Sequence, residues 1–227
     1  MMRTILATAA VLAVGLAAPA YAEVIQGTDE DDHFGGTRRA DVMLGFAGDD
    51  HINGRRGDDD IRGGDGDDHL WPGANDGEGW NHWNALEGGA GNDVIHGGPA
   101  AGYSEGGAGD DVLMGGLSFD HVRGNAGDDK LRSGDHGDAA EPDFGADIVR
   151  MGKGRDYVYI FADASDPRGE TAVDRVFCGH GDDYIYWGGR TVDPNDVIDS
   201  SCEDDNTKTN VSRREFMKRA TRVHREH

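Results

Sequence analysis

The sequence has few of the residues that usually stabilise a compact domain. Of its 227 residues only 2 are cysteine, aromatic residues account for 7% and hydrophobic residues for 36%. Two cysteines are too few for a small disulfide-rich scaffold. Because 37 residues are glycine, a conventional packed core is not expected. The length fits one domain, with room for a small appendage.

Basic residues are also scarce. There are 22 Lys and Arg against 44 Asp and Glu, which gives a formal net charge of −22. This balance argues against nucleic acid as a partner, since binding a phosphate backbone needs clustered basic side chains. The composition leaves disorder or a repetitive fold that depends on a cation.

Both ends differ from the rest of the chain. Residues 1–22 have the pattern of a secretory signal peptide: Arg3, an apolar run from Ile5 to Ala18, and a small-residue cleavage motif at 20–22. The run is too short to span a membrane, so we expect a secreted, extracellular protein with no membrane span. Residues 203–227 form a basic tail, which we expect to be flexible, although a short amphipathic helix docking on an anionic surface is an alternative.

A nine-residue period runs through the body of the chain. Five consecutive nonapeptides begin at Gly27 and complete a first array, residues 23–71. A Trp-rich insertion, residues 72–87, interrupts the period. It resumes at Gly88 with units such as GGAGDDVLM (106–114), in a second array with a terminal cap, residues 88–202.

These units resemble G-G-x-G-x-D-x-U-x, the repeat of the hemolysin-type (RTX) calcium-binding family, over residues 27–199. The resemblance implies an all-β fold, a parallel β-roll or β-solenoid with two nonapeptides per coil. It also implies that calcium is bound between turns stacked on the same edge.

The repeat positions are consistent with that chemistry. Position 8 is apolar, which suits a short strand with one buried face. Carbonyl oxygens exposed by the glycine-rich turns, together with Asp at position 6, form a hard-oxygen environment that suits Ca²⁺ better than Mg²⁺. The candidate metal ligands are Asp32, Asp50, Asp68, Asp41, Asp59, Asp93, Asp111, Asp129 and Asp147, with Gly48, Gly66, Gly91, Gly109 and Gly127 in their turns.

If alternate nonapeptides stack, the two edges of the roll can be compared. In the second array, one edge is predicted to continue from Asp147 to Ser165 and then to Asp183, and the other from Asp156 to Asp174. The first keeps both Asp and glycine, so we expect calcium mainly there. Same-edge pairs predict about six ions, between Asp32/Asp50, Asp50/Asp68, Asp41/Asp59, Asp93/Asp111, Asp111/Asp129 and Asp129/Asp147.

Two further groups recur with the period. Arg38, Arg39, Arg55 and Arg56 share an edge with Asp41 and Asp59. They either replace a missing cation or are ordinary solvated arginines. His33, His51 and His69 are 18 residues apart and are predicted to form an exposed column, for which a solvent-facing position is favoured over weak Zn²⁺ or Ni²⁺ binding.

The remaining features concern the partner. Trp71, Trp80 and Trp83 lie at the insertion, where they either cover the end of a coil or stack on sugar rings. Cys178 and Cys202 are expected to form a disulfide in an exported chain, and their segment resembles the closing segment of secreted repeat proteins of this type.

No catalytic motif is visible. We therefore predict a non-enzymatic, monomeric calcium-binding protein whose β-roll folds on Ca²⁺ binding. The alternative is a calcium-dependent carbohydrate-binding or surface-adhesion module that binds an extracellular or cell-surface polysaccharide through the Trp-rich insertion.

Overall fold

A computed structural model describes residues 23–74, 83–160, 172–187 and 196–202. The predicted signal peptide, the basic tail and Trp80 lie outside these residues. The described chain forms a solenoid of two nine-stranded sheets, in which odd-numbered strands make one sheet and even-numbered strands the other. Every strand pair is parallel, so the predicted all-β parallel β-solenoid is confirmed.

The strands of the odd-numbered sheet are β1 (Glu23–Gln26), β3 (Asp41–Ala47), β5 (Asp60–Asp65), β7 (Trp83–Ala90), β9 (Ala101–Ala108), β11 (Asp120–Ala126), β13 (Ala139–Phe144), β15 (Tyr157–Ile160) and β17 (Tyr184–Trp187). Those of the even-numbered sheet are β2 (His33–Gly35), β4 (His51–Asn53), β6 (His69–Trp71), β8 (Val94–His96), β10 (Val112–Gly116), β12 (Lys130–Asp135), β14 (Ile148–Gly154), β16 (Arg175–Gly181) and β18 (Val197–Ile198). Turns that follow odd-numbered strands form the first edge of the roll, and turns that follow even-numbered strands form the second edge.

Repeat positions 1, 6 and 8 point into the solenoid because successive side chains of a strand alternate between its faces. Position 8 supplies a column of apolar side chains, each of which stacks on the equivalent residue one coil away, as Leu113 does between Ile95 and Leu131. These three residues are fully buried. Position 1 is mostly glycine, and position 6 places a carboxylate inside each turn.

The coil length is not constant. Most paired residues are 18 apart in sequence, as in Met43 with Ile61. The separation rises to 25 between Leu70 and Ile95 and to 27 between Val149 and Val176. The roll nevertheless continues without a break, so the two arrays form one solenoid. The repeat also resumes earlier than the sequence predicts, because β7 begins at Trp83, inside the predicted insertion.

The last coils are joined covalently. Cys178 on β16 forms a disulfide with Cys202, and both cysteines are buried. The bridge ties the segment after β18 to the strand on which β18 pairs. No helix of the length and apolarity needed for a membrane span occurs among the described residues.

Candidate metal centre

The turns of the first edge require glycine at repeat position 4. Gly48, Gly66, Gly91, Gly109 and Gly127 all have positive φ, between 104° and 141°. This left-handed region is unfavourable for residues that carry a Cβ. A Cβ on Gly109, for example, would also collide with the carbonyl oxygen of Gly91 in the preceding turn. The predicted glycines therefore let the turns stack closely along this edge.

The buried aspartates of the first edge form a continuous ladder. Each carboxylate accepts a hydrogen bond through Oδ1 from the backbone N–H of the equivalent Asp one turn earlier. The distance is 2.8 Å from Asp50 to Asp68 and 2.7 Å from Asp93 to Asp111. The ladder consists of Asp32, Asp50, Asp68, Asp93, Asp111, Asp129, Asp147, Asp174 and Asp196.

The second oxygen of these carboxylates lacks a donor at most turns. Among the described residues, no hydrogen-bond partner reaches the buried Oδ2 atoms of six ladder residues of the first edge: Asp50, Asp68, Asp93, Asp111, Asp129 and Asp147. The same holds on the second edge for Oδ2 of Asp59, Asp120, Asp138 and Asp156. A buried carboxylate oxygen without a partner is costly. The repetition of this feature along the edge indicates that a further group belongs there.

At Asp50, Asp59, Asp68, Asp93, Asp111 and Asp129 the unsatisfied oxygen lies against a glycine at repeat position 1. A Cβ on Gly88 would overlap Oδ2 of Asp93 and lie 2.6 Å from the carbonyl oxygen of Gly106 in the next coil. A Cβ on Gly63 would likewise overlap Oδ2 of Asp68. Glycine at this position therefore lets a carboxylate oxygen and a backbone carbonyl oxygen approach the same Cα. These are the oxygen ligands that Ca²⁺ prefers.

The buried position raises the pKa of the ladder carboxyls. Burial is the largest cause at Asp129, whose pKa is about 8, and at Asp147, whose pKa is about 9. The backbone N–H that each carboxylate accepts lowers its pKa, and neighbouring carboxylates raise it. Burial likewise raises the pKa of Asp68 and Asp93 to about 7. At neutral pH, an opposite charge beside these groups would favour their ionised form.

The first coil differs from the rest. Thr28 donates to Oδ2 of Asp32 from its backbone N–H at 2.6 Å and from its hydroxyl at 2.9 Å. Thr37 donates from its backbone N–H to Oδ2 of Asp41 at 2.6 Å. These two predicted ligands are therefore already satisfied within the protein and are weaker candidates. A threonine at position 2 of the unit, as at Thr28 and Thr37, could have distinguished Asp32 and Asp41 from the other predicted ligands in the sequence.

All six predicted carboxylate pairs lie on adjacent turns, five on the first edge and Asp41/Asp59 on the second. The structure adds Asp68/Asp93, because the backbone N–H of Asp68 donates to Asp93 at 2.8 Å across the 25-residue coil. This pair was not predicted from the sequence, because its two aspartates belong to different arrays.

The predicted order of the edges after Asp147 is wrong. Asp147 is followed on the first edge by Asp174, and Asp156 on the second edge by Asp183. One turn therefore contains nine more residues than the period predicts, which exchanges the two edges. Unit 160–168 has Pro167 at its apolar position, and proline cannot donate a ladder hydrogen bond.

The first edge carries a second row of side-chain oxygens, five from carboxylates and one from the amide of Asn92, that was not predicted from the sequence. The side chains at position 5 are exposed, and each accepts a hydrogen bond from the backbone N–H of the next turn, as Asp110 does from Asp128 at 2.9 Å. The row consists of Asp31, Asp49, Asp67, Asn92, Asp110 and Asp128. Its signal in the sequence was the pair of acidic residues at positions 5 and 6 in alternate units.

The histidine column forms as predicted. His51 stacks on His69 with ring centroids 4.5 Å apart and lies 5.6 Å from His33. Burial and the two neighbouring imidazoles lower the pKa of His51. Within the described ranges, no three His, Cys, Asp or Glu side chains converge as a metal-binding group.

The nearby Trp71 is 51% exposed and stacks on His96, and Trp83 is 46% exposed.

The regular coils, the buried carboxylate ladder and the glycine-lined turns define the class of protein, a parallel β-roll. The family model of the RTX calcium-binding nonapeptide repeat matches the chain in four copies, at residues 35–70, 44–77, 81–101 and 105–136. The chain therefore contains RTX calcium-binding nonapeptide repeats over these residues, as its nonapeptides predict. No curated protein is found to be similar to it.

Proposed function

We propose that this protein is a secreted, non-catalytic calcium-binding module whose β-roll folds when Ca²⁺ binds along the first edge. The observation that carries the proposal is the stack of buried carboxylates whose Oδ2 atoms have no donor among the described residues. Calcium would supply the missing positive charge. Its chemistry fits the carboxylate and carbonyl oxygens found there.

Five steps of the ladder have an unsatisfied oxygen on both sides: Asp50/Asp68, Asp68/Asp93, Asp93/Asp111, Asp111/Asp129 and Asp129/Asp147. Asp32/Asp50 is a weaker sixth step because Thr28 already satisfies Asp32. We therefore propose five to six ions on the first edge. Asp41/Asp59 remains a candidate pair on the second edge.

Calcium coupled to folding suits an exported protein. The net charge of −22 opposes a compact metal-free chain, since the excess negative charges repel one another. Extracellular modules bind Ca²⁺ with Kd values on the order of 10⁻⁴–10⁻³ M. The Cys178–Cys202 disulfide also suits an oxidising compartment. The chain would thus fold after export.

The test compares two double variants with the same change in charge. Asp111→Asn/Asp129→Asn alters buried carboxylates of three steps, whereas Asp110→Asn/Asp128→Asn alters exposed carboxylates of the same turns. Calorimetry and far-UV circular dichroism would follow calcium titration, with magnesium as the control ion. We expect the buried variant to lose at least two ions and the exposed variant to keep the wild-type number.

Equal calcium uptake by the two variants would contradict the assignment of the buried aspartates. A wild-type protein that is fully folded in chelator and gains no structure with Ca²⁺ would contradict ion-driven folding.

A second candidate function is carbohydrate binding or surface adhesion. The half-exposed side chains of Trp71 and Trp83 favour it, since exposed tryptophans can stack on sugar rings. Retention on a polysaccharide column that Trp71→Ala/Trp83→Ala abolishes, while calcium binding is kept, would support this function. Unchanged retention of the variant would contradict it.

A further inference from the structure

The second edge carries an arginine-lined cleft at the first two coils of the roll. Gly36, Thr37, Arg38, Arg55 and Arg56 line a cleft of about 510 Å³. This volume lies in the range of small-ligand sites. The three arginines are exposed at its surface. The cleft lies in the turns that carry Asp41 and Asp59 on the second edge, so it is separate from the five ladder steps proposed as calcium sites on the first edge.

Two of the three arginines of this cleft have no carboxylate partner among the described residues. Among the described residues, Arg38 and Arg55 make no ion pair, and neither do they pair with the buried Asp41 or Asp59 of the same edge. Elsewhere on the roll arginines do face carboxylates, as Arg123 does with Asp143 at 2.6 Å. Two neighbouring arginines without a carboxylate partner leave a local positive charge at this cleft, in a chain with twice as many acidic as basic residues.

The backbone holds Arg55 in an unusual conformation. Its φ is 73°, a left-handed value that costs a non-glycine residue about 1 kcal/mol or more. Its N–H donates to Oδ1 of Asn53 at 2.8 Å, and its carbonyl accepts from Ala74 at 2.8 Å. The same conformation occurs at position 2 of other units, as in Phe46 and Asn125, so the coil geometry fixes the place of Arg55.

The side chain of Arg55 is also positioned. A Cβ on Gly35 would lie 3.1 Å from Nε and 3.4 Å from Cζ of Arg55. The absence of a side chain at Gly35 therefore leaves room for the guanidinium group to lie across the preceding coil, toward the turn that carries Arg38. A guanidinium group binds carboxylate and sulfate oxygens through paired N–H donors.

We propose that the arginine cleft binds a carboxylate or sulfate group, either on an acidic oligosaccharide or as a free anion. A small ligand fits better than a long polyanion, because the acidic roll around the cleft repels extended negative charge. The half-exposed Trp71 lies on β6, where it pairs with Asn53 of β4, the strand that precedes the turn of Arg55. An aromatic ring beside guanidinium groups suits an acidic sugar.

The test uses the full chain saturated with calcium and three probes: sodium sulfate, a tetrasaccharide of uronic acid, and a neutral tetrasaccharide. Binding would be measured by calorimetry and by shifts of arginine Nε–H signals in NMR. The cleft variant is Arg38→Gln/Arg55→Gln. The control is Arg132→Gln/Arg175→Gln, which removes the same charge from exposed positions on β12 and β16.

We expect the uronate to bind the wild type and the control, and Kd to rise at least tenfold in the cleft variant. Arg38→Lys/Arg55→Lys, which keeps the charge but loses the paired donors, should have an intermediate Kd and serves if the glutamine variant folds poorly. Sulfate binding as strong as uronate binding would assign the site to free anions, and weaker sulfate binding to the saccharide. No binding of either anion at 10 mM, or equal losses in both glutamine variants, would overturn the proposal.

Discussion

The buried carboxylate ladder predicts an unusual pH dependence of the metal-free protein. Most carboxyls that matter for stability have a lowered pKa in the folded state, so acid destabilises the protein. Here burial raises the pKa of Asp129 to about 8 and that of Asp147 to about 9. The folded chain therefore binds more protons than the unfolded chain, in which the pKa of Asp is about 3.9.

The sign of the effect follows from this difference. Stability is fully present below the unfolded pKa and is lost as pH rises through the folded pKa of about 8 to 9. Between pH 6.5 and 8.5, a carboxyl with a folded pKa near 9 loses about 2.5 kcal/mol and one near 8 about 2 kcal/mol. The two together should cost roughly 4–5 kcal/mol, a large part of the stability of a typical domain.

The assay is the folded fraction in chelator and sucrose, which favours the compact state without supplying an ion, followed by far-UV circular dichroism from pH 6.5 to 8.5. His51 and His96, whose pKa values are lowered, oppose the effect only at the lower end of this window, because an unfolded imidazole titrates near pH 6.5. We expect the folded fraction of the metal-free protein to fall as pH rises. With saturating calcium the trend should reverse, because protons compete with the ion for the same oxygens.

The matched variant is Asp129→Asn/Asp147→Asn. Asparagine keeps an oxygen that can accept the backbone hydrogen bond, as Asn84 does from Asp59 at 3.0 Å. The variant removes two buried charges, so it should be more stable than the wild type at pH 8.5 in chelator. It should lose about half of the pH slope, because the raised pKa values of Asp120, Asp68, Asp93 and Asp138 supply the rest. A metal-free wild type that becomes more stable from pH 6.5 to 8.5 would refute the reasoning.

Two further predictions concern stability in calcium. Gly88→Ala should lower the free energy of unfolding by about 1–3 kcal/mol, because its Cβ would overlap Oδ2 of Asp93. The control is Gly102→Ala, whose Cβ would have its nearest contact at 3.2 Å and should cost clearly less. Equal melting temperatures of the two variants would contradict this reasoning. Replacing Cys178 and Cys202 by serine removes a disulfide that spans 24 residues. The free energy of chemical unfolding should fall by about 3 kcal/mol, most of it from the last coils. An unchanged denaturant midpoint would show that the disulfide does not stabilise the roll.

Much of the fold was predictable because each nonapeptide encodes its own local geometry. The apolar residue at position 8, the buried Asp at position 6 and the glycine turns recur in every good unit, so the core column of Ile52, Leu70 and Leu113 could be named in advance. The ladder at positions 32, 50 and 68 followed from the 18-residue coil. These features depend on neighbouring residues and on one fixed period.

Other features depend on which turns meet in space. The period alone could not show that Asp68 stacks on Asp93, or that one long turn exchanges the edges so that Asp174 follows Asp147. The hydrogen bond from Thr28 to the carboxylate of Asp32 also depends on the geometry of the turn.

The sequence by itself determined the repeat, the β-roll and the hard-oxygen chemistry of its turns, because these follow from residue type and spacing within a single nonapeptide. Only the tertiary structure decided the order of the carboxylates along each edge and the formation of the arginine cleft. The physical reason is that residues beyond the 18-residue coil can either lengthen a turn or form a further coil. Which of the two occurs depends on the strand pairing between coils. The same pairing brings Arg38 and Arg55, from successive turns, to one cleft.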